Sequence, residues 1–417
     1  MADNQLALRD LQSAHMELFS DIAEVQKSDR KRAQELLSEK SLPTATEEEW
    51  RYSRIDTLLS KVGNFEVGGA TVYDSGREPL IDGPFSGRIL LTDGHLWFNG
   101  ADGIRIEQID NSDNPSTFAI DNSDDYFRIF ARGYAPVALR VTIEEGYQLQ
   151  DPILLEVELN ASTTLVAPRF EFIFEKGSSA SVIEVVTGGG GASLLTPLVE
   201  VGVRSGASCT YSYLQNCDGW ASIVENVVIE ADKDSKVTYN AFGFGADYGR
   251  LRFDGRIVGD DVDMKVRACY FGSDSQMLDF RTFQRHIAPR STSDLLFKGA
   301  VGNEAHSVYS GLVVIEEGAV KSDAYQTNRN LVLSPGARAD SVPNLDIREN
   351  SVRCSHASAV GPIDPEMMFY LESRGVDPDE ARRLIIEGFF KEITETIPNL
   401  NLRSQIGALV ANKLKGI

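Results

Sequence analysis

The residues best suited to chemistry in this 417-residue sequence form a short cluster near its C-terminal end, Cys354-Ser355-His356. On a β-strand, residues two apart point to the same side, so the Cys354 thiol and the His356 imidazole would share one face. Thiolate and imidazole are both ligands for iron and zinc. Two ligands are too few for a closed metal site, so a metal held here would need ligands from elsewhere. The alternative, in which Cys354 is a small apolar residue of the core, stays open.

The remaining cysteines and two of the histidines are isolated in the sequence. No pair of cysteines has the C-x-x-C spacing of a zinc ribbon or a thioredoxin-like motif. We expect three cysteines on predicted strands to fill the core: Cys209, Cys217 and Cys269. His286 and His306 are expected to have structural roles. Four scattered cysteines in so long a chain do not form a disulfide framework, which favours a reducing compartment.

Motifs of several enzyme classes are absent from the sequence. There is no G-x-x-x-x-G-K-[ST] phosphate-binding loop, so this chain is not itself an ATPase of that class. The glycine run at residues 188–191 lacks the lysine and is expected to be a loop. The acidic pair Asp260-Asp261 could belong to a glycosidase, but sequence neighbours on a strand point to opposite faces. A solvated turn is the favoured interpretation of that pair.

Charge and composition exclude further classes of function. Lys plus Arg is 41 and Asp plus Glu is 62, so the formal net charge is 41 − 62 = −21. So acidic a chain is poorly suited to binding nucleic acid or an anionic membrane surface. No apolar run approaches the roughly 20 residues of a membrane span, and no secretory signal is visible. We therefore expect a soluble cytoplasmic protein.

The middle of the chain alternates apolar and other residues as short strands do. Phe170, Phe172 and Phe174 alternate with Glu171 and Ile173, which places the phenylalanines on one face. Turn signals recur around positions 177, 206, 234 and 261, at intervals of 29, 28 and 27 residues. Self-similarity at such a period indicates a solenoid, whose coils bury their inner faces only by stacking. A β-helix fits this pattern better than a sandwich or a propeller.

Both ends of the chain have helical periodicity instead. The N-terminal stripe comprises Leu8, Leu11, His15, Leu18 and Ile22, and a second helix is predicted over residues 30–40. The segment around Trp50 is expected to anchor this region to the remainder. After Pro362, start signals at Asp364-Pro365 and Asp377-Pro378 predict two helices, and a third follows Pro398. These helices would cap the solenoid or present a docking surface.

The apolar positions of the two longer C-terminal helices form one stripe on each helix. The first stripe comprises Ala381, Leu384, Ile385, Gly388, Phe389 and Ile393, and the second comprises Leu402, Ile406, Leu409, Val410 and Leu414.

Several blocks in the second half of the chain resemble one known family. In order along the chain they are H-I-A-P-R-S-T-S-D at 286–294, K-G at 298–299, Y-S-G at 309–311, Q-T-N-R-N-L at 326–331, C-S-H at 354–356 and F-Y-L-E-S-R-G at 369–375. They resemble the SufB/SufD family of iron–sulfur cluster assembly scaffolds, strongly over about residues 280 to 395. The E-E-W-R-Y segment at 48–52 is also similar. Within the family the sequence is most similar to SufD members.

This resemblance implies a mainly β fold, a right-handed parallel β-helix flanked by N-terminal and C-terminal α-helical domains. The corresponding boundaries are residues 1–84 for the N-terminal helical domain, 85–360 for the β-helix and 361–417 for the C-terminal helical domain. It further implies a non-catalytic subunit that pairs with a SufB-like scaffold through the β-helix and with a SufC-like ATPase through the C-terminal helices. A homodimer is an option when SufB is absent.

The resemblance also implies roles for individual residues. It assigns His356 to nascent cluster assembly beside a cysteine of the SufB partner, and Cys354 is the neighbouring candidate. No tightly bound cofactor is implied, only transient iron or an iron–sulfur cluster shared with the partner. The candidates for ATPase docking are Phe369, Tyr370, Arg374, Leu384, Ile385 and Phe389. Many relatives have a lysine where this sequence has Tyr325, and no role is assigned to that position.

Two other classes of function remain as alternatives. A carbohydrate-active β-helix enzyme would have a carboxylate cluster in an open groove and a secreted location. A purely structural solenoid would have no specific partner.

Overall fold

The structure is a computed structural model that describes residues 24–62, 66–67, 71–72, 78–93, 95–111, 114–160, 164–189 and 191–416. The N-terminal helix predicted from Leu8 to Ile22 lies outside the described residues. The α-helices in the described part are α1 (Glu24–Glu39), α2 (Ile55–Val62), α3 (Tyr126–Tyr134), α4 (Pro365–Ser373), α5 (Pro378–Thr394) and α6 (Leu400–Leu414), with short 3-10 turns at Glu48–Trp50 and Ile109–Asn111.

The strands of the described part form two large sheets, named A and B. Sheet A contains β5 (Ile104–Gln108), β6 (Ala138–Ile143), β9 (Arg169–Phe174), β12 (Leu198–Val203), β14 (Ala221–Ala231), β16 (Tyr248–Ile257), β18 (Met277–His286), β20 (His306–Ile315) and β22 (Arg338–Ile347), with β1 (Glu66–Val67), β8 (Thr164–Val166) and β11 (Ser193–Leu195) beside this path. Sheet B contains β2 (Thr71–Val72), β3 (Gly87–Thr92), β4 (His95–Gly100), β7 (Ile153–Leu159), β10 (Ser179–Gly188), β13 (Ser208–Cys217), β15 (Lys236–Gly243), β17 (Asp263–Gly272), β19 (Thr292–Val301), β21 (Asp323–Val332) and β23 (Arg353–Gly361).

The chain winds between these two sheets as a parallel β-solenoid. From β12 onward, successive strands alternate between the sheets, and each pairs in parallel with the strand two places later in the chain. Val199 lies opposite Val227, and Val227 lies opposite Phe253, so one coil takes 28 residues and the next takes 26. Antiparallel pairs join β3 to β4 and β5 to β6 at the N-terminal end. The prediction of a β-solenoid flanked by helices is confirmed.

The predicted turn centres occupy equivalent corners of successive coils. Gly177, Gly206, Asp234 and Asp261 have φ values of 67°, 70°, 59° and 59°. This left-handed region is open to glycine and is tolerated by aspartate better than by most other residues. The periodicity seen in the sequence therefore arises because each coil needs one left-handed residue at the same corner.

Inward side chains of both sheets fill the lumen of the solenoid and form its main core. The ring centroids of Phe172 and Tyr211 are 5.6 Å apart, those of Tyr211 and Tyr239 are 6.0 Å apart, and those of Tyr239 and Phe253 are 4.7 Å apart. The first and third of these contacts join strands of different sheets, and the second joins neighbouring coils within sheet B. Both sheets therefore contribute to one stack of rings. Such aromatic pairs add to the stability that area burial provides.

The N-terminal region packs on the outer face of sheet A. Trp50 is buried against Phe127 of α3, and the Arg250 guanidinium lies 3.6 Å from the centroid of the Trp50 ring. Arg281 of β18 donates a hydrogen bond of 2.6 Å to the carbonyl of Arg51. The prediction that the Trp50 segment anchors this region is confirmed. Helix α3 was not predicted; it has only nine residues, all of them buried, and its two arginines, Arg128 and Arg132, form buried ion pairs with Glu200 instead of facing solvent.

Helices α5 and α6 pack beside the solenoid, on the outer face of sheet B. Phe271 of β17 faces Phe390 of α5 with ring centroids 6.1 Å apart. The Lys298 ammonium of β19 donates to the carbonyl of Phe389 at 2.8 Å. In α5 the buried residues are Ala381, Ile386, Phe390 and Ile393, and in α6 they are Leu402, Ile406 and Val410.

The predicted stripe of α5 was therefore partly wrong. Ile386 and Phe390 face the solenoid, while Leu384 is exposed and Ile385 is only partly buried. None of the helices in the described residues combines the length and the apolar character needed to span a lipid bilayer.

Two carboxyl groups lie inside the lumen among apolar side chains. The Tyr211 hydroxyl donates to Glu184 Oε2 at 2.8 Å, whereas both carboxyl oxygens of Glu225 lack a hydrogen-bond partner. Burial raises the pKa of Glu184 to about 7 and raises the pKa of Glu225 well above its ordinary range, with the Glu184 charge adding to the latter. Burial therefore disfavours the charged form of both groups.

Because the folded-state pKa of these carboxyl groups is raised above the unfolded value, they cost stability as the pH rises through the folded pKa. We expect Glu225→Gln to raise the free energy of unfolding above pH 8 by on the order of 2 kcal/mol and to change it little near pH 5. Urea denaturation at the two pH values measures this, with Glu317→Gln in an exposed turn as the control. An equal effect of Glu225→Gln at both pH values would contradict the assignment.

Candidate functional site

The last coil of the solenoid ends in two edge strands, β22 and β23, which together are called the mouth. Each is the terminal strand of its sheet, and in the described residues no further strand pairs with either. Ile347 and Val360, which their register places on the inward face of these strands, are exposed by 43% and 45%. Inward side chains of the last coil are consequently open to solvent at the end of the lumen.

Cys354 and His356 both lie on β23 with their side chains on its inward face. Cys354 pairs in register with Ala324 of β21, which belongs to a buried cluster beneath the mouth. His356 pairs with Gln326, which is 1% exposed. Cys354 is half-buried against that cluster, and His356 is exposed. The structure thus places the two predicted residues on one face, as their spacing predicts.

The Cys354 thiol lies in an environment that disfavours the thiolate. Burial and the negative charge of Asp323 raise the pKa of Cys354 to about 11. The thiolate is the form that binds metal, so binding here would release a proton. A cation at the mouth would oppose both effects, because it favours the charged form of the thiol.

Below the mouth the lumen changes from aromatic to polar. The Q-T-N-R-N block lies on β21, where Gln326, Asn328 and Asn330 point inward and are buried. The Tyr270 hydroxyl donates to Asn330 Oδ1 at 2.6 Å, and Asn328 Nδ2 lies 3.1 Å from the Tyr270 oxygen. A Cβ at Gly299 would lie only 2.0 Å from the Tyr270 ring, so glycine gives the ring its space. The sequence pattern that indicates this network, an amide side chain at every second position of β21, was overlooked.

The other candidate cysteines and histidines lie away from the mouth or are fully enclosed. Cys209, Cys217 and Cys269 are buried, and burial raises the pKa of each thiol. His286 Nε2 lies 2.7 Å from Ser293 Oγ, and burial lowers the pKa of His286 to about 4. The ring of His286 is therefore neutral at physiological pH, as expected of a structural residue.

His306 is also buried, and a carboxylate engages its ring. His306 Nε2 lies 2.6 Å from Asp340 Oδ2, which links neighbouring strands β20 and β22.

The candidate docking residues on the C-terminal helices fall into two groups. Phe369 is 72% exposed and Tyr370 is 57% exposed, and the Arg374 guanidinium lies 5.1 Å from the Tyr370 ring centroid. Leu384 is also exposed, and Ile385 is partly buried. Phe389 instead packs towards the solenoid, with the Lys298 ammonium 4.8 Å from its ring centroid.

The described residues contain no group of three or more His, Cys, Asp or Glu side chains arranged to hold a metal ion. The acidic pair considered for glycosidase chemistry is engaged by an arginine. Arg290 Nη2 lies 2.7 Å from Asp260 Oδ2 and 2.9 Å from Asp261 Oδ2. The pair is a surface turn in which one guanidinium binds both carboxylates.

Comparison with known proteins gives concordant matches. The sequence model described as "SUF system FeS cluster assembly, SufBD core domain" matches residues 157–389. An iron–sulfur cluster assembly SufBD family protein of Mycobacterium bovis is 33% identical over 291 residues, which cover 67% of this chain and 71% of the relative. The iron–sulfur cluster assembly protein SufD of Escherichia coli is 23% identical over 383 residues, which cover 90% of each chain. SufD of Bacillus subtilis is 28% identical over 277 residues, 66% of this chain and 63% of the relative.

The enclosure of three cysteines predicts selective thiol chemistry. Native protein treated with iodoacetamide should carry one adduct, at Cys354, whereas denatured protein should carry four. Asp323→Asn should accelerate the native reaction at pH 8, because removal of the neighbouring charge lowers the pKa of the thiol. Mass spectrometry of tryptic peptides measures the adducts, and Cys354→Ser serves as the control. A native adduct at Cys209, Cys217 or Cys269 would contradict the structure.

Proposed function

Because the chain belongs to the SufB/SufD family of the SUF iron–sulfur cluster assembly system and is SufD-like within it, we propose that it acts as a non-catalytic scaffold subunit. The observation that carries the proposal is the position of Cys354 and His356 at the uncovered end of the lumen. A site in this place is accessible to a second subunit while its side chains are oriented by a rigid sheet.

The mouth is the proposed surface for a SufB-like partner. Edge strands present unpaired backbone N–H and C=O groups and readily accept a further strand. The exposed apolar side chains of Ile347 and Val360 would be buried by the same contact. Pairing of two solenoids end to end therefore satisfies both the backbone and the side chains of the last coil. A second copy of this chain would use the same edge when SufB is absent.

At this interface the proposed role of His356 is to bind transient iron as cargo. A neutral imidazole presents one nitrogen lone pair to a metal, and the Cys354 thiol contributes once deprotonated. These two side chains leave most of a tetrahedral coordination sphere open for sulfide and for a cysteine of the partner. The chain has no tightly bound cofactor in this proposal, and the cluster exists only while the two subunits share it.

The C-terminal helices are the proposed docking surface for a SufC-like ATPase. Phe369, Tyr370 and Arg374 form an exposed patch of two aromatic rings and a cation, a composition enriched at the energetic centres of protein interfaces. Leu384 adds an exposed apolar side chain on the next helix. Because α5 and α6 pack on sheet B, movement of the docked ATPase would be transmitted to the solenoid.

The first test of this function is the substitution His356→Ala. We expect the purified complex to keep its composition, because an exposed side chain contributes little to packing. In cells that depend on this system, activity of iron–sulfur enzymes should fall at least tenfold. Ser355→Ala, which changes the outward neighbour on the same strand, is the matched control. Full enzyme activity with His356→Ala would refute the role of the site.

The second test concerns ATPase docking. Removal of all residues after 360 would also uncover the apolar outer face of sheet B, so surface substitutions are more informative. We expect Phe369→Ser with Tyr370→Ser to weaken co-purification of the ATPase at least tenfold, since buried aromatic anchors contribute about 2 kcal/mol or more each. Leu400→Ser, at a 67% exposed position on α6, is the control. Equal recovery of the ATPase with both variants would exclude the patch.

A further inference from the structure

The structure assigns a positioning role to Gln326: we propose that its carboxamide oxygen accepts the N–H of one imidazole nitrogen of His356 and leaves the other nitrogen exposed at the mouth. The metal that this nitrogen would bind rests on the proposed function, whereas the hydrogen bond itself does not.

The first support is the register of the last two strands of sheet B. Gln326 of β21 and His356 of β23 are directly paired residues, and both side chains point into the lumen. Paired strands lie about 4.8 Å apart, and same-face side chains at paired positions are in reach of each other. In this inward column His356 is therefore the next side chain above Gln326 in the direction of the mouth.

The second support is the way in which the amide group of Gln326 is held. Its Nε2 donates to the Tyr309 hydroxyl oxygen at 2.6 Å. That hydroxyl lies 3.1 Å from Thr282 Oγ1, to which it can donate its own hydrogen. Tyr309 is fully buried, so the chain from Thr282 to Gln326 is shielded from water. The amide nitrogen is thereby committed to Tyr309, and the oxygen is left as the free end of the group.

The third support is that this oxygen has no partner. Gln326 Oε1 is buried and without a hydrogen bond, while the side chains of Asn328 and Asn330 on the same strand bond to each other and to Tyr270. A buried acceptor without a donor is costly, and native proteins rarely leave one. The exposed imidazole of His356 is free to turn and can supply the missing donor.

The fourth support is a glycine that makes room for the amide. A Cβ at Gly311 would lie 1.6 Å from Gln326 Nε2 and 2.5 Å from the Tyr309 oxygen. Any other residue at 311 would displace the amide from Tyr309. Gly311 belongs to the Y-S-G block and Gln326 to the Q-T-N-R-N-L block, so two separate sequence blocks meet in one hydrogen-bonded unit.

The chemical consequence concerns the tautomer of the imidazole. Neutral histidine exchanges between two tautomers, and a fixed acceptor at one nitrogen selects the form in which that nitrogen carries the hydrogen. The other nitrogen then presents its lone pair in a constant direction. Partners of this kind orient histidine ligands in metal sites.

The test uses the full chain without metal, labelled with ¹⁵N-histidine. The protein has five histidines, and His356 is assigned by the signals lost in His356→Gln. At about pH 8.5, where an exposed ring is neutral, the two ring nitrogens of wild-type His356 should resonate at the positions of one protonated and one unprotonated nitrogen. In Gln326→Leu the same two signals should move towards each other, as expected of a tautomer mixture.

Two further variants complete the design. Gly311→Ala should reproduce the spectrum of Gln326→Leu, because it displaces the amide without removing it. Thr327→Val, an outward neighbour of Gln326, should leave the wild-type spectrum unchanged. A wild-type His356 that already shows averaged tautomers overturns the proposal and requires no variant to fold. Identical His356 spectra in wild type and Gln326→Leu overturn it as well.

The outcome is separable from that of the proposed function. A single tautomer in wild type together with full cluster supply in His356→Ala would retain the positioning contact and reject the iron site. Loss of cluster supply with averaged tautomers would retain the iron site and reject the role of Gln326.

Discussion

Parallel stacking is the constraint on which the rest of this structure depends. Each strand of the solenoid satisfies its backbone and buries its inward side chains only against the strands above and below. At the N-terminal end sheet A ends its main path with β5, antiparallel to β6, and sheet B ends with β2, beyond the antiparallel pair β3–β4. At the other end, α5 and α6 lie against the outer face of sheet B, and in the described part of the chain no further strand pairs with β22 or β23. The candidate site at Cys354 and His356 is accessible because the last coil is left uncovered in this way.

The same stacking explains why polar groups occupy parts of the lumen. Around Tyr211 the column of rings encloses Glu184 and Glu225, and burial disfavours the charged form of both carboxyl groups. Nearer the mouth the enclosed groups are amides and hydroxyls, which hydrogen-bond without carrying charge. The interior therefore becomes more polar towards the candidate site, where amide and hydroxyl groups of β21 and its neighbours bond to one another. A fully aliphatic lumen would bury Cys354 equally well but would offer no acceptor to an imidazole.

Much of the architecture could be predicted from the sequence, because it depends on local rules. The spacing of Gly177 and Gly206 indicates where each coil has its left-handed corner. The alternation of apolar residues along a strand indicates which of them face inward. Helix α3 was missed because it is short and its arginines, Arg128 and Arg132, lie four residues apart in buried ion pairs with Glu200, not on a solvent-exposed face. The buried face of α5 differs from the predicted stripe, because Ile386 packs against the solenoid and Leu384, which was expected there, is exposed.

The candidate site could be predicted from the sequence only in part. The spacing of Cys354 and His356 predicts their shared face, but the pairing of Gln326 with His356 depends on the register between strands about 30 residues apart. The resemblance to a family singled out His356 as a candidate, and the strand register shows that Gln326 is its neighbour. A contact that forms only when strands stack cannot be predicted from the sequence of one strand alone.

The anchoring of the N-terminal segment has a consequence for biosynthesis. Arg281 holds the carbonyl of Arg51 across 230 residues of sequence, and Arg252 holds Glu49 across 203. At ribosomal rates of roughly 10 residues per second, the strands that receive this segment are made about 20 s after it. Trp50 must remain outside its final environment during that interval, while coils assemble one upon another. This long loop therefore closes late in folding, after the solenoid has formed at least as far as β18.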